Sequence, residues 1–257
     1  MLLPRSLTFL AIVLVASTLY AESWRPLFNG ASFEGWTTQN GKPVTAEAWK
    51  VEPDGAVHLD TSNGRGGNIL TDREYGDFEL VFEWKISDKG NNGIKYRVND
   101  FDGRVLGCEY QVIDDATTNQ KPKHRTASLY DVYEPMEHQL LKPAGEWNRG
   151  AIIVSGNRIE HYLNGYLVMS AIVGSDEWND RMAKSKFHDV EQFGRTPVGK
   201  IMITDHRDAV SYRNMFIREI GPSSVASHSD GGCSTCNVWA PKCCSPRRKL
   251  FGRRACR

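Results

Sequence analysis

Phe78-Glu79-Leu80-Val81-Phe82-Glu83-Trp84-Lys85-Ile86 decides the fold class. Phe78, Leu80, Phe82, Trp84 and Ile86 occupy every second position, so an extended chain puts all five on one face. A helix would scatter the same residues around its axis. The pattern continues downstream. In Gly93–Val98, Ile94, Tyr96 and Val98 face one way while Lys95 and Arg97 face the other. In Gly107–Asp114, Cys108, Tyr110 and Val112 oppose Glu109, Gln111 and Ile113. Period-two spacing also predicts strands over Ala151–Ser155, Ile159–Leu163, Tyr166–Ile172, Val198–Thr204 and Val210–Ile220. Asp54-Gly55, Asp102-Gly103 and Ser155-Gly156-Asn157 are turn signals, and Asn164-Gly165 predicts a two-residue hairpin. One helix is expected over Asp176–His188, capped by Ser175 or Asp176, with Trp178, Met182 and Lys186 on one side. Many short strands with one inserted helix predict an all-β jelly-roll β-sandwich.

The length of 257 residues suits one such sandwich, placed at residues 22–221. A net charge of +1 argues against nucleic acid as a partner. Residues 1–21 read as a signal peptide: Arg5 supplies the positive end, Leu7–Val15 the apolar run, and Ala21 a cleavage position. The run is shorter than the roughly 20 apolar residues that span a bilayer. A secreted or periplasmic protein is therefore expected. Residues 222–257 change in character. Ser223–Gly232 is a linker, and Cys233–Arg257 is basic and holds five of the six cysteines. Cys233, Cys236, Cys243, Cys244 and Cys256 suit disulfides better than zinc in an exported chain. The basic charge is a possible attachment to an anionic envelope. Cys108 is expected in the core.

Strand parity also yields a site list. Met202, Thr204 and His206 share one side of their strand, and Ser211 and Arg213 lie opposite Val210, Tyr212 and Phe216. If the polar faces coincide, Lys95, Arg97, Glu109, Gln111, His206 and Arg213 form one surface able to bind a polyhydroxylated ligand. The competing reading is a solvated outer face. Asp205 has the opposite parity from His206 and either joins the site or orients a loop. His161 lies on an apolar strand as a packed histidine or a ligand contact. Tyr130 is a loop aromatic able to stack on a sugar ring, and His124 and Arg125 share its long loop. Trp36, Trp84 and Trp147 are expected in the core.

Four ordered stretches resemble the 3-keto-disaccharide hydrolase family, which includes 3-keto-glucoside lyases and 3-keto-2-hydroxyglucal hydratases. They are Leu27-Phe28-Asn29-Gly30 with Gly35-Trp36; Asn92-Gly93-Ile94 with Gly107-Cys108-Glu109-Tyr110-Gln111-Val112-Ile113-Asp114; Gly145-Glu146-Trp147-Asn148 with His161-Tyr162-Leu163-Asn164-Gly165; and Thr204-Asp205-His206 with Tyr212-Arg213-Asn214-Met215. Lys184-Ser185-Lys186-Phe187 also resembles a helix-end segment of members. The resemblance covers most of residues 25–221 and implies a concanavalin A-like jelly roll that cleaves glycosides bearing a ketone at C3. Members often carry Gln where this chain has Thr204, so one polar contact differs.

The implied chemistry is removal of the C2 proton, elimination at C1 and, in hydrolysis, rehydration. It needs a base, a stabiliser for the enolate oxygen and an acid for the leaving oxygen. His206 is the expected base and Glu109 the second acid/base candidate. Gln111, Lys95, Arg97, Arg213, Asp205, Tyr130 and His161 are the expected substrate contacts. A divalent metal held by Glu109 and His206 is a further possibility. The alternative function is a non-catalytic carbohydrate-binding module of the cell envelope.

Overall fold

The computed structural model describes residues 23–45, 47–62, 64–116, 120–136 and 140–221. The expected signal peptide, linker and cysteine-rich tail lie outside the described residues. Five short strands come first: β1 (Arg25–Pro26), β2 (Trp36–Thr38), β3 (Trp49–Val51), β4 (Val57–Leu59) and β5 (Ile69–Tyr75). Then come the long β6 (Phe78–Ile86), β7 (Asn91–Phe101) and β8 (Arg104–Ile113). β9 (Asn148–Ser155), β10 (Arg158–Leu163) and β11 (Tyr166–Ile172) precede the helix α1 (Asp176–Met182). β12 (Gly199–Ile203) and β13 (Val210–Glu219) end the body.

The strands make two antiparallel sheets packed as a jelly-roll sandwich. The first has the order β11-β10-β9-β6-β13-β4-β3, with β1 added beside β13; the second has the order β2-β5-β12-β7-β8. β6 is the spine of the first sheet, and its residues alternate buried and half-buried along the whole strand. Phe82 meets Tyr110 of β8 edge to face at 5.2 Å, and Phe78 meets Tyr96 of β7 at 6.2 Å. These contacts stitch one sheet to the other. Full burial of each such side chain is worth roughly 1.5–3 kcal/mol. Trp36, Trp84 and Cys108 join this core as expected. Trp147 does not: it lies outside the first sheet, between the cations of Lys85 and Arg213.

The hairpin at Asn164-Gly165 forms as predicted. Both residues have positive φ, 49° and 93°, which a two-residue turn between twisted strands requires. The helix is shorter than predicted. Ser175 caps it by accepting the Trp178 N–H, but the helix stops at Met182, where Ser185 Oγ donates to the Met182 carbonyl. Beyond that point successive turns carry Phe187, Val190 and Phe193 into the core.

Two bulges break the expected parity. The register of β7 against β8 shifts between Tyr96 and Asn99, with Arg97 at φ 50°. Val98 therefore leaves the main core and packs with Leu70, Met202 and Val105 on the opposite face of the second sheet. In β13 the register shifts between Arg213 and Phe216, with Asn214 at φ 51°. Met215 and Ile217 then point inward and Phe216 outward. An extra residue in a strand reverses every side chain beyond it.

Candidate functional site

The outer face of the second sheet collects the polar residues. Lys95 of β7 pairs in register with Glu109 of β8 on one side and with Met202 of β12 on the other. The Glu109 carboxylate is buried, 3.8 Å from Lys95 Nζ, and lies over Gly93. A Cβ at Gly93 would overlap the Glu109 carboxyl oxygen, so the bare glycine makes the carboxylate's seat. Gln111 lies beside Gly93 on the same face, buried, and its amide donates to Asn91 Oδ1 at 2.8 Å.

A buried amide holds the approach to His206. Asn92 Nδ2 donates to the Thr204 carbonyl at 2.6 Å, and Asn92 Oδ1 accepts from Tyr212 Oη at 2.7 Å. The Thr204 N–H donates to the Gly93 carbonyl at 3.0 Å, and its hydroxyl turns to the same oxygen. Thr204 is thus buried and used by the backbone. Asp205 accepts the Gly67 N–H at 2.7 Å and the Arg207 N–H at 2.8 Å, while its own N–H donates to Asn68. It ties two loops together beneath His206.

His206 itself is exposed, yet the surrounding protein removes enough water to lower its pKa from 6.5. Lys95 and Lys186 push the same way, and the charges of Glu109 and Asp205 oppose them. Neutral imidazole is a proton acceptor. Tyr130 closes the side beside β8. Its N–H donates to the Glu109 carbonyl at 3.0 Å, and its ring stacks on His124 at 4.8 Å. Lys186 Nζ sits 4.2 Å from the centroid of the same ring.

The structure brings Lys95, Glu109, Gln111, His206 and Tyr130 to one face, with Asp205 supporting it. Three other expected contacts lie elsewhere. Arg97, turned by the β7 bulge, is buried and donates to the Gly194 and Gly156 carbonyls at 3.0 and 2.6 Å. Arg213 belongs to the first sheet, where it bonds Glu83 at 2.8 Å and covers Trp147. Period-two parity tells which face of a strand a residue occupies, not which sheet the strand joins. His161 is fully buried between the sheets. Its Nδ1 donates to the Ala127 carbonyl at 3.0 Å, and its Nε2 accepts from Tyr96 Oη at 2.8 Å. Burial lowers its pKa to about 3, so it is a neutral packing group.

Lys186, Asp131 and Asn92 were missed as site residues. Lys186 carried a signal in the Lys184–Phe187 resemblance, and Asn92 in its motif; Asp131, in an irregular loop, carried none. Among the described residues no three His, Cys, Asp or Glu side chains are grouped to hold a metal ion. Glu109 and His206 supply two donors beside two ammonium groups, which repel a divalent cation. The set does not fit a protein-held metal.

Residues 23–218 match the family model of the 3-keto-alpha-glucoside-1,2-lyase-like domain. A Bacteroides thetaiotaomicron protein named 3-keto-disaccharide hydrolase is 30% identical over 231 residues, spanning 77% of this chain and 79% of that protein. A crystal structure of a candidate glycosyl hydrolase from Parabacteroides distasonis is 30% identical, with a TM-score of 0.69 over 78% of this chain and 96% of the other. A second Parabacteroides distasonis structure, 23% identical at a TM-score of 0.62, shares the fold over 77% of this chain and 100% of the other. From its first strand to its last, this sandwich belongs to the 3-keto-alpha-glucoside-1,2-lyase-like family.

Proposed function

We propose that the protein is a sugar-active enzyme that cleaves glycosides carrying a ketone at C3. The observation that carries this reading is the meeting of a neutral imidazole, a buried carboxylate and two ammonium groups on one face of a chain of this family. A C3 ketone acidifies the hydrogen on C2. His206 takes that proton, and the C2–H pair moves into a C2–C3 double bond while the ketone oxygen becomes an enolate. The enolate pair then re-forms the ketone, the C1–C2 double bond forms, and the C1–O bond breaks. The leaving oxygen takes a proton from the imidazolium, which the Glu109 charge has favoured. Addition of water across C1–C2 by the reverse path gives the free 3-keto sugar, and the net result is hydrolysis.

Buried Gln111 is held by Asn91 on the same face as Glu109, and Lys95 balances that carboxylate. Tyr130 offers a ring face to the sugar. No step needs a metal. Residues 1–21 would export the enzyme to the periplasm or the medium, and the basic tail would hold it at an anionic envelope.

The test is incubation of the purified protein with a 3-keto disaccharide and with its unoxidised parent, each with and without chelator. Release of 3-keto sugar from the first alone, unaffected by chelator, is the expected result. Equal cleavage of the parent would remove the role of the ketone. Tight binding without turnover would leave a carbohydrate-binding module instead.

A further inference from the structure

Within that reading, we infer that Lys186 stabilises the negative charge that builds on the C3 oxygen, and that Asp131 is the positioning residue that sets it there. The site has two ammonium groups. Lys95 is already committed to Glu109 at 3.8 Å. Lys186 is differently placed. Among the described residues its Nζ makes no ion pair and no hydrogen bond; it rests on the faces of Tyr130 and Phe187, at 4.2 and 5.0 Å. An aromatic face orients an ammonium without using its N–H donors. All three are free for a ligand oxygen, and the side chain is open to solvent.

Its placement is built by Asp131. That carboxylate is buried and joins two segments distant in sequence. One oxygen accepts the Lys186 N–H at 2.6 Å, and the other accepts His124 Nε2 at 2.7 Å and Lys123 Nζ at 2.8 Å. Its backbone is left-handed, at φ 63°, and its N–H donates to the Lys123 carbonyl at 2.9 Å. Asp131 therefore holds the Lys186 backbone against the loop that carries Tyr130. Its charge is met by Lys123 and His124. The groups that act on the Lys186 ammonium are Glu109 and Asp131, which favour its charge, and Lys95, which opposes it. Loss of water outweighs all three and is the main reason its pKa lies below 10.5. The ammonium thus lies in one electrostatic cluster with Glu109, Lys95 and His206. Of the two ammonium groups it is the one without a carboxylate partner among the described residues, and an enolate oxygen is such a partner.

The experiment uses full-length Lys186→Met, Lys186→Arg and Asp131→Asn. Cleavage of a 3-keto disaccharide is measured alongside exchange of the C2 proton of a 3-keto monosaccharide in heavy water. A lost enolate stabiliser costs about 10²–10³ in turnover. Lys186→Met should lose about that much kcat with KM nearly unchanged, and C2 exchange should fall in step. Lys186→Arg should recover part of both and move the alkaline limb of the pH profile, which lies below 10.5 in the native protein, upward. Asp131→Asn should lower kcat and shift that limb as well. Native cleavage and exchange rates in Lys186→Met would overturn the inference. So would lost cleavage with retained exchange, since the lysine would then serve the leaving group. An unchanged pH profile and kcat in Asp131→Asn would overturn its positioning role. If the native protein itself cleaves no 3-keto glycoside, the functional reading falls first; if it cleaves and Lys186→Met does too, the inference alone falls.

Discussion

Two histidines with lowered pKa values show how environment, rather than residue type, separates function from packing. His206 is open to a ligand and coupled to Glu109; His161 has both ring nitrogens engaged inside the core. His206→Ala and Glu109→Gln are each expected to cut kcat/KM by about a hundredfold or more, read by release of 3-keto sugar. A base must be neutral, so the native rate should fall on the acid side through a pKa below 6.5, and His206→Ala should erase that limb. His161→Leu should act otherwise. It strands the Tyr96 hydroxyl and the Ala127 carbonyl, at about 1–3 kcal/mol for each. The melting temperature should drop while the folded enzyme keeps its kcat. His161 also links stability to pH. The unfolded chain protonates it near 6.5 and the folded chain near 3, so between these values the unfolded state binds more protons. Stability is lost as pH falls through that window, and His161→Leu should flatten the slope. Asp131, desolvated yet held down to about 2 by Lys123, His124 and the Lys186 N–H, adds its own loss between 3.8 and about 2.

At the scale of elements, the second sheet is the site because of what its strands omit as much as what they carry. Gly93 has no side chain beneath the Glu109 carboxylate. Gly93→Ala is expected to displace that carboxylate and reduce kcat by about a hundredfold, since displacements near 1 Å at a reacting group cost that much. A fold probe such as the melting curve should change far less than activity; a native rate would show that Glu109 is not placed for chemistry. The bulges act by the same logic of position. In β7 the extra residue sends Arg97 away from Lys95 to the Gly156 and Gly194 carbonyls. In β13 it turns Phe216 outward and Met215 inward. The period-two pattern held up to each bulge and failed beyond it. Neither Arg97 nor Asn214 is a glycine, so their positive φ left no mark in the composition.

For the whole molecule, the body closes where β13 ends at Glu219, and the family match ends at residue 218. Deletion of residues 222–257 is expected to leave cleavage of a 3-keto disaccharide within about twofold of the full chain, and loss of activity would make the tail part of the catalytic unit. The sequence by itself determined the all-β class, the spine at Phe78–Ile86, the Asn164-Gly165 hairpin and the polar-face parity of Lys95 and of Glu109 in their own strands. Those follow from local rules: alternation sets the face, and turn chemistry sets the hairpin. It also marked His206 through a motif. Only the tertiary structure decided which sheet each strand joins, and that choice removed Arg213 from the site. It enclosed His161 between two tyrosines and brought Asp131, Lys186 and Tyr130 to Glu109 from two separate segments. These are contacts between residues far apart in the chain, set by the packing of loops against a sheet edge, and no period along the sequence encodes them.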